Sequence, residues 1–431
     1  MTTVLPIKGL RFSNDVGSLS AVITPPYDVI GPELQEKFYE KNPYNIIRLE
    51  YAKSRPGDNT RVNKYTRAAN TFQQWLQGRV LIREEEPAFY LYEQHFTYEQ
   101  KNYIRRGIYC GVGLSPFEEG RVVPHEKTLH QPKLDRLELL RHCEAHFSPI
   151  LGLYKDKEKF VDHHAARYKK EQEPVINFQD EEGQLHKIWA VTDKKFIATI
   201  ETFFQNQKIF IADGHHRYET ALQYYMEKKR EDQSKERYGH ALMVLINTYD
   251  EGLLAFPTHR MIKQSNLSSE DLLKKLQNYF HIQPLSLTGS REELLNLLER
   301  SLTGATEEKL CMGLYTPEKN FFLLTVKDLK DKEKPFPWLD TVILQELVLQ
   351  DIFGWDEIDR KKGSFIDYIR DEWEAKQQVD RGKVFYVFFL NKSSLVEIID
   401  LAEQGIRMPQ KSTYFFPKLV SGLVILQLGV L

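Results

Sequence analysis

Lys208–Tyr225 reads KIFIADGHHRYETALQYY, and the rest of the chain can be read outward from it. Ile209, Phe210 and Ile211 form an apolar run of the length of a short buried strand. The run breaks at Asp213-Gly214. It resumes with helical spacing, because Tyr218, Ala221, Leu222, Tyr225 and Met226 recur at i, i+3, i+4, i+7 and i+8. The pattern predicts a strand, a tight turn and a helix. Asp213 is a residue type that accepts a hydrogen bond from a first helical turn, and Gly214 admits a backbone conformation that a Cβ disfavours. That turn would carry His215, His216 and Arg217 beside the amides every helix leaves without intrahelical partners. The positive end of the macrodipole lies there too, which suits an anion and above all a phosphate. Arg217 adds a forked donor for charge-assisted contact.

A length of 431 residues exceeds one small core and predicts two domains. We place an N-terminal α/β domain over 1–262, carrying the DGHHR motif, and a C-terminal α+β subdomain over 263–431 whose tail returns to the site. Hydrophobic residues at 41%, of which aromatics are 12% of the chain, describe a packed protein and exclude a disordered one. Lys and Arg number 59 against 61 acids, a formal charge of −2, which argues against a DNA-coating surface. The three cysteines (Cys110, Cys143, Cys311) are far apart and form no CxxC pair, so neither a disulfide framework nor a thiolate zinc site is indicated. Neither a signal-peptide pattern nor an 18-residue apolar run is present, and the expectation is a cytoplasmic protein without membrane partners.

Upstream, ITPPYDVI (Ile23–Ile30) fixes an extended or turning backbone through two prolines. It reads either as a turn leading into a domain or as a rigid holder that presents Asp28 to a cleft. Ile46–Leu49 reads as a strand placing Arg48 on one face, Arg61–Leu76 as an amphipathic helix stopped by Gly78, and Phe89–Phe96 with Tyr103–Val112 as a hairpin. Val122–Thr128 (VVPHEKT) delivers His125 and Glu126 after a proline, residue types used as general base or metal ligand, although surface His-Glu pairs are common. Helix is expected from Asp135 to His146 and strand over Ser148–Tyr154. Lys155–His186 reads as a charged surface excursion with His163 and His164 solvated. Downstream, Ala241–Asn247 is an apolar strand, and Phe256–Ile262 (FPTHRMI) is expected to bring His259 and Arg260 to the same sheet edge. In an open α/β sheet, turns carrying His125, His215, His216 and His259 converge at the carboxyl ends of strands.

Beyond Ile262 the features are mostly structural. Ser268–Asp271 and Ser290–Glu293 look like capping boxes, Cys311–Tyr315 and Phe321–Val326 like a hairpin, Trp338–Leu349 like a helix, and Val384–Leu390 like an apolar strand. Ser394–Glu397 caps a last helix ending at Gly405. The polar-aromatic tail Met408–Lys418, with Lys411, Ser412 and Thr413, reads equally as a phosphate-contacting loop or as a terminal strand.

ITPPYDVI, NPYNIIRLEY, VVPHEKT, IADGHHRYETA, PTHRMI and MPQKSTYFFPKLVSGLVI, in that order from about Lys8 to Val424, resemble the bacterial and archaeal family known as domain of unknown function 1015. The Asp-Gly-His-His-Arg turn between strand and helix is also similar to the phosphate-binding turn of the ParB/sulfiredoxin superfamily, which includes chromosome-partition CTPases, sulfiredoxin and free-serine kinases. That likeness covers some twenty residues. It implies a mixed-sheet ParB/sulfiredoxin-like α/β core with insertions, and it makes Asp213, Gly214, His215, His216 and Arg217 the phosphate-binding group.

Phosphoryl transfer needs positive groups around the moving phosphoryl, a Mg²⁺ held by carboxylates, and a base near the acceptor. The expectation is therefore a nucleotide-dependent small-molecule phosphotransferase using ATP or ADP with Mg²⁺, its acceptor a free amino acid such as serine by superfamily analogy. Glu126 and Asp28 are the candidates for base or metal ligand. His125, His259, Arg260, Lys411, Ser412 and Thr413 are the secondary catalytic or phosphate contacts. Two rivals are enzymatic or regulatory. A metal-dependent hydrolase would use His215 and Glu219, four apart on a helix, with His125 or His259 as a third ligand, and a ParB-like nucleotide switch would associate with nucleic acid. The absence of a helix-turn-helix signature and the balanced charge weigh against the latter. A third alternative is a non-catalytic scaffold whose histidines satisfy a polar core.

Overall fold

Six consecutive residues, Ala241–Ile246, are fully buried, as expected of a strand covered on both faces. They lie within a nine-stranded sheet in a computed structural model that describes residues 1–126, 130–232, 235–287, 289–302, 310–327, 339–355, 365–391, 394–409 and 411–430, the side chains of 130–132 and 235 apart. The strand order is Val122–Pro124, Ile209–Asp213, Ile150–Tyr154, His240–Asn247, Lys101–Gly113, Phe89–Tyr98, Leu185–Val191 and Ile176–Gln179, with Val4–Leu5 pairing Lys101–Gly113. The sheet is mixed. Ile209–Asp213 runs parallel to Val122–Pro124, and His240–Asn247 parallel to Ile150–Tyr154, while the other neighbours are antiparallel.

The chain divides into two compact units, Met1–Pro124, Thr128–Leu254 and Pro417–Leu431 in the first and His125–Lys127 with Ala255–Phe416 in the second. The break therefore falls at Leu254 instead of Ile262, and the tail is split at Phe416. The second unit holds a six-stranded antiparallel sheet in the order Phe280–Leu285, Phe321–Val326, Cys311–Tyr315, Tyr386–Phe389, His259–Ile262, Ile366–Ile369. Alternation gives it two apolar faces. Met312, Leu314 and Phe388 pack with Leu272, Leu276 and Leu347 on one, and Cys311, Tyr315 and Phe389 pack with Leu294, Leu298 and Val379 on the other. The expected caps form. Ser268 Oγ accepts from the Asp271 amide and Ser290 Oγ from that of Glu293, each at 3.1 Å, and Ser394 and Glu397 close a capping box. Trp338 lies outside the described residues, and the helix expected there begins at Asp340.

Three sequence expectations need correction. Ile46–Leu49 is not a strand. Asn45 Oδ1 accepts from the Ile47 amide at 2.9 Å while its Nδ2 donates to Ala21 O at 2.8 Å, so an Asn-initiated turn launches a one-turn helix, Ile47–Glu50. Lys155–His186 is not a surface excursion. It contains the helix Phe160–Glu171, the strand Ile176–Gln179 and the start of Leu185–Val191, which pairs with Phe89–Tyr98 over seven residues. Polar side chains hid this strand. His186 is fully buried yet bonded to the Tyr92 hydroxyl and to Asp180. Finally, His259–Ile262 belongs to the second unit's sheet and not to the sheet that carries Ile209–Asp213. Among the described residues no helix is long and apolar enough to cross a membrane.

Candidate functional site

Gly214 has φ +94° and ψ 29°, and this left-handed step takes the chain from the strand Ile209–Asp213 directly into the helix His215–Glu231. The helix begins on Gly214 itself, so Asp213 does not cap it as the sequence suggested. Its carboxylate instead receives Arg217 Nη2 at 3.2 Å and Lys418 Nζ at 3.3 Å. Arg217 folds back over the turn. Its Nη1 donates to the Pro149 carbonyl, and a Cβ built on Gly214 would meet the guanidinium Nε at 2.9 Å and Cζ at 3.0 Å. Glycine is thus favoured by the positive φ, and any side chain here would also have to displace the Arg217 guanidinium. Burial pushes the Asp213 carboxyl up, but Lys418 and Arg217 outweigh it and hold it at about 2. Two cations around one carboxylate leave one net positive charge beside the helix start, to which the macrodipole adds. His215 is buried in this turn and His216 half-buried.

Pro149, which anchors Arg217, follows Ser148, and Ser148 leads to a residue the sequence reading passed over. Glu50, 3% exposed, accepts from Ser148 Oγ at 2.8 Å. Arg136 Nη1 lies 3.4 Å from Glu50 Oε1 and donates to the Glu50 carbonyl at 2.7 Å. Burial raises the Glu50 carboxyl above its usual range against the pull of Arg136 and Ser148. The Arg136 guanidinium lies 4.1 Å from the ring centre of Tyr27, whose hydroxyl burial pushes up to about 12. Asp28, next along the same short helix, is exposed. His146, buried within electrostatic reach of Arg217, is pushed down by burial to about 4 and is neutral at pH 7. The sequence signal for Glu50 is an acid that closes the run Ile46–Leu49, apolar but for Arg48.

In the second unit, His125 and Glu126 are stitched to the tail. The His125 carbonyl accepts from the Met408 amide at 2.7 Å. The Glu126 carboxylate accepts from the amides of Lys411 (3.0 Å), Ser412 (3.0 Å) and Thr413 (3.3 Å), with Lys411 at φ +55°. The amides that a phosphate loop at Lys411–Thr413 would use are therefore engaged by Glu126. His125 Nε2 sits 3.0 Å from Thr413 Oγ1 and 3.5 Å from Glu126 Oε1. Lys127, Thr128 and Gln410 lie outside the described residues. His259 Nδ1 accepts from the Leu390 amide at 3.1 Å, which assigns its proton to Nε2, 3.6 Å from Glu372. Arg260 is buried, donates to Thr258 O and lies 4.7 Å from the Tyr368 ring centre.

Of the residues expected to bind phosphate, Asp213, Gly214, His215, His216 and Arg217 stand together in the first unit. His259, Arg260, Lys411, Ser412 and Thr413 belong to the second, as do His125 and Glu126. Glu219, expected as a metal ligand with His215, forms an ion pair with Lys133. Among the described residues no group of three or more His, Cys, Asp or Glu side chains is placed to hold a metal ion.

A search of curated proteins finds no match. Among solved structures, a free serine kinase in complex with AMP is similar at 12% identity and TM-score 0.37, over 72% of this chain and 86% of that one. A conserved hypothetical protein from Pyrococcus furiosus is similar at 14% identity and TM-score 0.36, over 73% and 92%. SbnI with a C-terminal truncation, from Staphylococcus aureus, is similar at 8% identity and TM-score 0.34, over 73% and 86%. The profile of the family described as "Protein of unknown function (DUF1015)" matches residues 4–347, and this chain belongs to that family.

Proposed function

We propose that this chain is a nucleotide-dependent small-molecule phosphotransferase of kinase type, with a nucleotide phosphate held at the Asp213–Arg217 turn. The observation that carries the reading is the turn itself. A glycine at φ +94° opens a 17-residue helix, and Arg217 and Lys418 outweigh Asp213 in charge beside it. A helix start with excess positive charge is a phosphate seat by electrostatics and by its supply of amide donors. The finer reading, that the surrounding core is ParB/sulfiredoxin-like and the acceptor a free amino acid such as serine, rests on the likeness of that turn to the superfamily's phosphate turn.

Asp28, in the same unit as the turn, is our proposed carboxylate for the base or the metal side. Asp28 is exposed and therefore accessible to an ion. Mg²⁺ with ATP or ADP fits such a donor set, because the ion takes one or two protein carboxylates and completes its shell with phosphate oxygens and water. When bound it would neutralise charge on the phosphates. The protein's own contribution would be to orient the phosphate at the helix start and to hold a carboxylate ready for the acceptor's proton.

A thermal-shift screen of ATP, ADP and phosphorylated metabolites with Mg²⁺ tests the reading. A ligand at a hundredfold its Kd stabilises the native state by about 2.7 kcal/mol. We expect a clear shift with a nucleotide in the parent and its loss in Lys418→Ala and Gly214→Ala. No shift with any phosphate compound would overturn the proposal.

A further inference from the structure

Arg260 stands on the strand His259–Ile262 of the second unit's sheet, opposite Phe388 and on the face that also carries Ile262. It is 4% exposed, yet among the described residues its guanidinium makes one hydrogen bond, from Nη1 to the Thr258 carbonyl, and no ion pair. Two other buried arginines are provided for differently. Arg136 has the Asp135 carboxylate at 2.5 Å and that of Glu50 at 3.4 Å, and Arg217 has Asp213 at 3.2 Å. A charge taken out of water is costly unless it is paired. Burial lowers the Arg260 guanidinium below its usual value, against the opposing pull of Tyr368, Asp340 and Glu126.

The unengaged edge of this guanidinium has a definite shape. With Nη1 on Thr258, Nε and Nη2 remain as two parallel donors, the spacing that matches the two oxygens of a carboxylate. The plane is held by Tyr368, the cross-strand neighbour, whose ring centre lies 4.7 Å from Cζ. Tyr368 is half-buried and Lys411 is exposed, with its Nζ 5.5 Å from the same ring, so this end of the face opens to solvent beside a second cation. The surplus of positive charge is small, because the carboxylates of Asp340 and Glu126 lie within electrostatic reach of Arg260. The amides of Lys411, Ser412 and Thr413 are already engaged by Glu126. Such a balance suits a single negative charge on a planar group and disfavours a polyphosphate.

We infer that Arg260 anchors a binding site for a small organic carboxylate within the second unit, its Nε–Nη2 edge taking both carboxylate oxygens. Every residue invoked belongs to that unit, and the inference does not depend on the phosphotransferase reading.

Calorimetric titration of the full-length protein with acetate, lactate, benzoate and L-alanine, at an ionic strength held constant with chloride, tests it. At least one of these should bind, its primary amide should not, and inorganic phosphate should bind about tenfold more weakly or worse. Arg260→Lys keeps the charge but loses the fork, and should weaken that carboxylate at least about tenfold. Arg260→Met should abolish binding. Without ligand its urea midpoint should equal or exceed the parent's, because a buried charge without an ion pair has been replaced by an apolar side chain. A parent that binds none of the four carboxylates overturns the inference, as does equal binding of inorganic phosphate or parental affinity in Arg260→Lys. A lowered urea midpoint in ligand-free Arg260→Met overturns it too, since the arginine would then serve the fold.

Discussion

At Gly214 in the first unit and at Lys411 in the second, the backbone bends through positive φ, +94° and +55°, and each bend stands beside a carboxylate. The carboxylates are used in opposite ways. Glu126 accepts the second unit's amides directly, so backbone donors and acid satisfy each other. Asp213 pins two side-chain cations, Arg217 and Lys418, beside the helix start. One region has cancelled its own positive potential, while the other has concentrated it. That difference separates two stretches that each carry a basic residue at a polar turn: under the proposed function the first would seat an external anion, while the second holds an internal one.

The first unit is the easier half to break, and the largest effect should come from a deeply buried ion pair near the Pro149 anchor of Arg217. Glu50 and Arg136 have side chains only 3% and 6% exposed. Arg136→Met would leave a carboxylate buried without its cation, a change that costs about 3–5 kcal/mol. The pH dependence follows from the raised Glu50 carboxyl. In the window between the unfolded and the raised folded value the native state binds more protons, so stability falls as pH rises through it. Removing Arg136 raises the folded value further and extends that window upward. Urea unfolding should therefore show a larger deficit for Arg136→Met at pH 8 than at pH 5. Equal deficits at both would mean that Glu50 is solvated.

How far the sequence reveals this contrast depends on what kind of interaction defines each part. The strand, glycine turn and helix around Gly214 follow from period and from one residue's backbone freedom, and they are legible in KIFIADGHHRYETALQYY. The serine caps at 268, 290 and 394 are legible for the same local reason. The Glu126 cradle joins residues 285 positions apart through backbone amides, which carry no side-chain signature. Glu50 was hidden by Asn45, whose side chain converts an apolar run with strand composition into a helical turn. The strand Leu185–Val191 was hidden because its buried histidine is satisfied by Tyr92 and Asp180, partners that lie outside the strand itself. Local geometry is written in local sequence, whereas polar groups satisfied from elsewhere read as surface.

Asp213→Asn sharpens the comparison by removing the acid that gathers the cations. Its carboxyl is depressed in the folded protein from 3.8 to about 2. A depressed folded value means that the stabilisation is present above the unfolded value and lost as pH falls from about 4 to about 2. The shift corresponds to a contribution on the order of 2 kcal/mol at neutral pH. Acid unfolding of the parent and of Asp213→Asn should therefore diverge above pH 4 and converge near pH 2. The same substitution frees Arg217 and Lys418 from their shared counter-charge, so phosphate affinity should not fall with stability. Loss of both together would place Asp213 in direct support of the anion seat and remove the distinction from Glu126.

The smallest expected effect is at Glu219, and it bears on what the helix His215–Glu231 is for. A metal-binding helix would make Glu219 indispensable, because His215 and Glu219 occupy positions four apart on one face. In the structure Glu219 instead meets the Lys133 ammonium, with side-chain exposures of 18% and 27%. A partly solvated pair of this kind is worth about 0–1 kcal/mol. Glu219→Gln should accordingly shift the urea midpoint only slightly and leave the thermal shift produced by ATP with Mg²⁺ at its parental size. If the substitution abolished that shift, the helix would be contributing a side-chain ligand to the site. The anion seat would then no longer be a matter of backbone and cations alone, and the first unit would resemble the second in relying on a placed carboxylate.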